Sequence, residues 1–121
     1  MERTILPAME EGKIVVCDRY IPSTLIYGEV AGVNPISLKR WNDGFPEPTI
    51  TIFTMPPVEV CIERVARRKE TDVFEQEAFQ RLVYDKYVAY ANLHPEVIVV
   101  DTSGEKQETA ERIWDVAGGV V

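Results

Sequence analysis

The residues best suited to chemistry in this chain are an acid and a base that stand side by side, Asp18 and Arg19. They follow the apolar run 14–17, which is rich in β-branched residues and predicts a buried strand. In open α/β sheets, ligands bind where the carboxyl ends of strands meet the following loops. A guanidinium there can hold a phosphate through two hydrogen bonds, and a carboxylate can hold a hydrated metal ion. We therefore predict a phosphate site at Arg19, with Asp18 beside it.

Taken alone, the tripeptide Asp18-Arg19-Tyr20 favours a surface ion pair at the end of a strand. Its surroundings favour phosphate chemistry instead. A pair of hydroxyl residues, Ser23 and Thr24, follows where a new helix is predicted to begin, and an arginine-rich helix comes later in the chain. Phosphoryl transfer needs positive charge near the moving group and a firm hold on its acceptor.

A second candidate is a basic cluster, which consists of Arg64, Arg67, Arg68 and Lys69. Taken alone, it favours a solvated helix face whose arginines pair with the neighbouring residues Glu63 and Glu70. The functional interpretation is a mobile flap whose arginines close over the phosphates of ATP. A polar break at 70–72 supports it, because this break interrupts the helical pattern directly after the cluster.

The elements around these residues alternate between strands and helices. Apolar runs predict strands at 14–17, 50–54 and 97–100. Apolar residues at helical spacing predict helices around 5–9, 22–31, 37–41, 58–65, 79–91 and 110–117. Thr102 and Glu105 predict a capping box for the last helix, and Trp41 and Trp114 are expected to pack inside. This alternation indicates an α/β fold with a parallel sheet flanked by helices, in a single domain over 1–121.

Composition limits the classes of partner. The chain has 121 residues, 45% of them hydrophobic, and a net charge of -7, which fits one globular domain with a modest core. An acidic surface repels polynucleotides, and the sequence shows no secretory signal and no membrane-spanning run, so we expect neither a nucleic acid polymer nor a membrane as partner. Cys17 and Cys61 lie in apolar runs and are expected to be buried free thiols. These features predict a reduced, cytoplasmic protein.

The order of motifs along the chain resembles the thymidylate kinase family. The match covers essentially the whole chain in the right order, which is far more specific than any single motif. The matching residues are Leu6-Pro7-Ala8-Met9, Gly12, Asp18-Arg19-Tyr20, Ser23-Thr24 with Tyr27, the segment 48–57, Glu59, Glu63-Arg64, Arg68, Asp72, Phe74-Glu75, Tyr87 and Val99-Val100-Asp101.

The resemblance implies a P-loop nucleoside monophosphate kinase fold that transfers the γ-phosphoryl group of ATP to dTMP with Mg²⁺, giving ADP and dTDP. It implies that Arg19 binds the dTMP phosphate and that Asp18 lies near the metal. It places Arg64 and Arg68 in a lid near 64–75. The substrate pocket that it implies is lined by Ser23, Thr24, Tyr27 and Tyr87. Members of the family are commonly homodimers, which implies a homo-oligomer here.

Two of the departures from the family pattern concern recognition of the nucleobase and the phosphate loop. The family usually has glutamine where this chain has Gly28, which leaves the nucleobase open. The family also begins with a strand and a glycine-rich phosphate loop ending in Lys-Ser/Thr, and neither is present in this sequence. Gly12-Lys13 is no substitute, because it lacks the upstream glycine and leads into a predicted strand. In the family's sheet, the missing strand lies between those matching 14–17 and 50–54.

These absences predict an amino-terminally truncated kinase that is impaired as this chain alone. The sheet then needs compensation: another polypeptide supplies the strand, the two flanking strands pair directly, or the chain associates with itself. The alternatives to a thymidylate kinase are a non-catalytic nucleotide-binding or dimerisation remnant, or another nucleoside or nucleotide kinase.

Overall fold

The computed structural model describes residues 3–68 and 73–120, and for 73–76 it describes the backbone alone. Backbone contacts divide the chain into two compact units. We call the part up to Glu47 the amino-terminal unit and the part from Pro48 to Val120 the carboxy-terminal unit. Each is described by itself.

The amino-terminal unit is built from three described helices, α1 (Ile5–Glu10), α2 (Ile21–Val30) and α3 (Pro35–Trp41). Sequence signals account for their ends. Gly12 follows α1 with a φ of +76°, a conformation that glycine adopts without steric cost. At α3, the Asn34 side chain accepts a hydrogen bond from the backbone N–H of Ile36 at 2.8 Å. Where α2 packs against α3, Ile26 and Leu38 are buried.

The carboxy-terminal unit contains the sheet. Its elements are β1 (Thr51–Thr54), α4 (Val58–Ala66), α5 (Val73–Leu93), β2 (Val97–Val100) and α6 (Lys106–Ala117). The two strands pair in parallel, with Thr51 opposite Val97 and Thr54 opposite Val100. Helices α5 and α6 both contact β2, and α4 packs against α5. Neither α5 nor any other described helix is long and apolar enough to cross a membrane.

The core of this unit is centred on Phe53 of β1. Its ring meets Tyr87 edge-on, with the ring centroids 5.0 Å apart, and Tyr90 at 5.7 Å. Val83 of α5 and Val100 of β2 are buried as well. The predicted fold class, α/β with a parallel sheet flanked by helices, is therefore confirmed, and every predicted helix is present close to its predicted position.

The strand predicted at 14–17 is absent. These residues have no regular secondary structure, and Ile14 and Val16 are 67% and 88% exposed. A run of β-branched residues forms a strand only where backbone hydrogen bonds to a neighbour hold it, and among the described residues only β1 and β2 pair. Direct pairing of the two flanking strands is not found either, because the sheet of the described residues consists of β1 and β2 and does not include 14–17.

Three smaller predictions are wrong as well. Helix α6 has Glu105 as its N-cap residue without a capping side chain, so Thr102 and Glu105 form no capping box. Trp41 and Trp114 are 65% and 67% exposed and belong to no core in the described part of the chain. The cysteines are free, as predicted, but Cys17 is exposed because the run before it is not a buried strand.

Candidate functional site

A cleft in the amino-terminal unit brings together most of the residues predicted for phosphate and substrate binding. It has a volume of about 410 Å³ and lies at the first turn of α2. The predicted residues that line it are Arg19, Ser23, Thr24 and Tyr27. Asn42 and Phe45, which follow α3, line it too and were not predicted.

Arg19 is held at this cleft by its backbone and by Tyr27. Its φ of +67° lies in the left-handed region, which costs a non-glycine residue about 1–2 kcal/mol. The guanidinium carbon lies 5.0 Å from the centroid of the Tyr27 ring, and Nη2 donates a hydrogen bond to the Tyr27 hydroxyl at 3.4 Å. This cation–π contact orients the exposed guanidinium and leaves its other N–H groups to donate to an anion.

The first turn of α2 adds two hydroxyl groups and a favourable dipole. Ser23 and Thr24 are the third and fourth residues of this helix. The amino end of a helix carries partial positive charge, which stabilises a nearby anion. Hydroxyl groups can donate to phosphate or sugar oxygens. The helix terminus, the hydroxyl pair and the guanidinium of Arg19 together suit a phosphate ester.

Tyr20 and Phe45 form an aromatic wall of the cleft. Their rings stack with centroids 6.5 Å apart and planes 25° from parallel. The Tyr20 hydroxyl donates to the carbonyl oxygen of Pro46 at 3.1 Å, which ties the loop after α3 to the start of α2. Burial raises the pKa of Tyr20, and the neighbouring Cys17 and Glu47 raise it further. The phenol therefore stays protonated and can act as the donor in this hydrogen bond.

Asn42 reaches the cleft because α2 and α3 approach closely. It ends α3, and its Nδ2 donates to the carbonyl oxygen of Leu38 at 2.7 Å. A Cβ atom added at Gly28 would lie only 2.5 Å from Cδ2 of Leu38. A glycine inside a helical pattern often marks such close packing, so Gly28 is a sequence signal from which the approach of a neighbouring helix could have been inferred.

Asp18 stands beside Arg19 but does not line the cleft. Its side chain is exposed and has no hydrogen-bond or ion-pair partner among the described residues. In the described part of the chain, no group of three or more histidine, cysteine or acidic residues could enclose a metal ion. A lone free carboxylate still suits Mg²⁺, which commonly binds one or two carboxylates together with water and substrate phosphates.

The carboxy-terminal unit has a second cluster of charge at the carboxyl end of β2. Arg64 donates to the carbonyl oxygen of Thr102, and Arg112 to that of Asp101, each at 2.8 Å. Hydrogen bonds from Ser103 lower the pKa of the Asp101 carboxyl, and the charges of Arg112 and Arg64 lower it further. Arg64 is thus tied to a strand end of the kind that binds ligands in α/β folds. Arg112 was not predicted from the sequence.

The other described residues of the basic cluster differ in their contacts. Arg67 forms an ion pair with Glu63 one turn earlier on α4, as the surface interpretation predicted. Arg68 is exposed after the end of the helix. Residues 69–72, which include Lys69 and Glu70, lie outside the described residues, as do the side chains of 73–76. The predicted lid near 64–75 therefore stays a prediction.

Tyr87 has a packing role in the carboxy-terminal unit. Its ring meets that of Phe53 at 5.0 Å with the planes 82° apart, an edge-to-face arrangement that is favourable for aromatic pairs. This contact explains an aromatic residue at position 87 without a ligand. The predicted role of Tyr87 in substrate binding stays a prediction.

Comparisons with known proteins agree with the motifs. The family model for thymidylate kinase matches residues 1–113. The thymidylate kinase of Nitrobacter winogradskyi is 36% identical over 120 residues, which cover 91% of this chain and 52% of the relative. That of Synechococcus sp. (strain JA-2-3B'a(2-13)) is 36% identical and covers 96% of this chain and 58% of the relative. That of Symbiobacterium thermophilum is 37% identical and covers 93% of this chain and 56% of the relative.

The chain therefore spans about half the length of the curated relatives that it matches. The matched residues include both the cleft of the amino-terminal unit and the sheet of the carboxy-terminal unit. A match over nearly all of its residues shows that this chain belongs to the thymidylate kinase family.

Proposed function

We propose that this chain provides the acceptor-binding part of a thymidylate kinase. It holds dTMP while the γ-phosphoryl group of ATP moves to an oxygen of the dTMP phosphate, which leaves ADP and gives dTDP. The observation that carries the proposal is the cleft, where a guanidinium, the amino end of a helix, two hydroxyl groups and an aromatic wall meet within one unit. Family membership supports the type of reaction.

Arg19 binds the acceptor phosphate in this proposal. Its planar guanidinium can make two parallel hydrogen bonds to phosphate oxygens, and its cation–π contact with the Tyr27 ring limits the orientations that it can adopt. Ser23 and Thr24 bind the ester or sugar oxygens. Asp18 would hold Mg²⁺, which supplies positive charge to the phosphates when it is bound. Positive charge that is fixed before the reaction stabilises the charge that develops on the moving group.

The donor side is assigned to the carboxy-terminal unit. Arg64, oriented by its hydrogen bond to Thr102, and Arg68 belong to the lid near 64–75 that closes over the ATP phosphates. The 121 residues contain no Gly-x-x-x-x-Gly-Lys-Ser/Thr sequence. Transfer from ATP therefore requires a polypeptide segment that supplies this phosphate loop, whereas binding of dTMP does not.

The exposed run at 14–17 supports an assembly. Ile14 and Val16 expose apolar side chains on a segment without regular secondary structure, whose backbone is unpaired within the described residues. Such a segment is a template for strand pairing. In the working kinase a second copy or the segment that carries the phosphate loop covers it. The free thiols suit a reducing, cytoplasmic setting.

The test is calorimetric titration of the full chain with dTMP. Arg19→Ala should weaken binding by about 10- to 150-fold, since a hydrogen bond to a charged group contributes about 1.5–3 kcal/mol. Arg40→Ala is the matched control, because Arg40 is an exposed arginine of the same unit that does not line the cleft. It should bind dTMP like the wild type. Equal losses in the two variants, or no loss in Arg19→Ala, would move the phosphate site elsewhere.

A further inference from the structure

We propose that Asn42 determines which nucleobase the cleft accepts, by presenting a hydrogen-bond acceptor to a base that carries a ring N–H. The inference rests on the proposed function, since it concerns the base of the nucleotide whose phosphate Arg19 binds. It goes beyond that function because Asn42 matches none of the motifs that identify the family.

The orientation of the Asn42 amide is fixed by its neighbour. Nδ2 lies 2.7 Å from the carbonyl oxygen of Leu38, and only the nitrogen of the amide can donate to a carbonyl. Leu38 is buried, so its backbone is a firm anchor. The amide oxygen, Oδ1, is therefore the atom of Asn42 that remains for a ligand.

Oδ1 has no donor in the described part of the chain. Asn42 is half-buried and lines the cleft, so a ligand that fills the cleft removes this oxygen from solvent. A half-buried acceptor left without a donor costs free energy, which penalises any ligand that covers it without donating. The cleft therefore distinguishes ligands by whether the edge that faces Oδ1 carries a hydrogen-bond donor.

The aromatic wall completes the requirement for a base. Phe45 lines the cleft together with Asn42, and its ring stacks with that of Tyr20. A planar base can stack on such a surface whatever its identity. Stacking thus holds a base, while Oδ1 distinguishes one base from another.

The expected preference among bases follows from N3 of the pyrimidine ring, which carries a hydrogen in some bases and not in others. Thymine and uracil carry a hydrogen on N3, which donates to an acceptor. Cytosine presents a bare N3, and two acceptors facing one another repel. The cleft should therefore prefer thymine and uracil nucleotides to cytosine nucleotides, through an unfavourable contact as well as a favourable one.

The experiment is calorimetric titration of the full chain with four probes: dTMP, dCMP, N3-methyl-dTMP and deoxyribose 5-phosphate. The wild type should bind dTMP about tenfold more tightly than dCMP or N3-methyl-dTMP, as expected for one hydrogen bond lost with its partner left unsatisfied. Asn42→Ala should remove most of this difference and leave the affinity for deoxyribose 5-phosphate unchanged. Asp43→Ala, an exposed neighbour that does not line the cleft, should behave like the wild type.

The possible outcomes distinguish failure of the role of Asn42 from failure of the proposed function. Binding of deoxyribose 5-phosphate without discrimination among the nucleotides overturns the role of Asn42 and leaves the phosphate site standing. An equal loss for all probes in Asn42→Ala shows that the residue acts through the fold, which also overturns it. Binding of no probe at all overturns the proposed function and this inference with it. The wild-type comparison of dTMP with N3-methyl-dTMP needs no variant: equal affinities overturn the inference even if Asn42→Ala does not fold.

Discussion

Gly28→Ala should destabilise this protein, although the same change stabilises most helices. Residue 28 lies inside α2 with a helical backbone, where alanine is favoured over glycine by about 0.5–1 kcal/mol. A Cβ atom there would lie 2.5 Å from Cδ2 and 2.8 Å from Cδ1 of Leu38. Carbon atoms in contact are ordinarily about 3.5–4.0 Å apart, so Leu38 or the helix must move by about 1 Å.

The size of the destabilisation by Gly28→Ala depends on how little space surrounds the Leu38 side chain. Its side chain is only 3% exposed, so it cannot swing out into solvent without losing its packing. Overpacking of this kind costs about 1–3 kcal/mol, which exceeds the gain in helix propensity. The net loss in the free energy of unfolding should be about 0.5–2 kcal/mol.

A double-mutant cycle isolates the contact. Leu38→Ala alone should cost about 2–5 kcal/mol, because it removes buried carbon atoms. In the Leu38→Ala background, Gly28→Ala should become stabilising by about 0.5–1 kcal/mol, since the obstructing carbons are gone and only helix propensity remains. The coupling between the two sites should therefore be about 1–3 kcal/mol.

Urea unfolding of the four proteins, followed by circular dichroism, measures the cycle. The midpoints are comparable if the slopes of free energy against urea agree. Stabilisation of the wild-type background by Gly28→Ala, or the same effect in both backgrounds, would show that α2 and α3 do not approach as the structure has them.

Two further predictions concern the cysteines and the end of β2. Iodoacetamide should modify Cys17 well before Cys61, as followed by mass spectrometry, because Cys17 is exposed whereas burial raises the pKa of the Cys61 thiol; equal rates would contradict this. The Asp101 carboxyl has a pKa below its ordinary value of 3.8, chiefly through hydrogen bonds from Ser103. The ionised Asp101 carboxylate therefore stabilises the folded state above about pH 3.8, and this stabilisation is lost as the pH falls through the folded-state pKa. The Asp101→Asn variant has no such carboxylate, so its stability should fall less on acidification than that of the wild type. Identical pH profiles of the urea midpoint would refute that role.

Local signals in the sequence predict the helices well. Asn34 caps α3 with its side chain, and Gly12 ends the turn after α1 with a positive φ. These are interactions between residues close in sequence, and their chemistry can be recognised without knowledge of the rest of the fold. The periodic apolar face of α4 is equally local.

Features that depend on distant neighbours were not predictable in the same way. The run at 14–17 has the composition of a strand, yet a strand also needs a partner backbone, and composition does not reveal one. The left-handed backbone of Arg19 likewise cannot be recognised from the residue types, since it lies where an irregular segment leads into α2. The motif around Arg19 located the cleft, but the contributions of Asn42 and Phe45 depend on how α3 packs.

The close approach of α2 and α3 also determines what position 28 can contribute to recognition. A side chain there would begin against Leu38, in the packing between the helices. A glutamine at this position could therefore be introduced here only with a movement of the Leu38 side chain or of α3 by about 1 Å. Because Asn42 directly follows α3 and its amide donates to the carbonyl oxygen of Leu38, a movement of α3 would also move the amide that lines the cleft. Glycine at 28 and asparagine at 42 are thus two parts of one arrangement, in which close helix packing favours glycine in α2 and places an amide directly after α3.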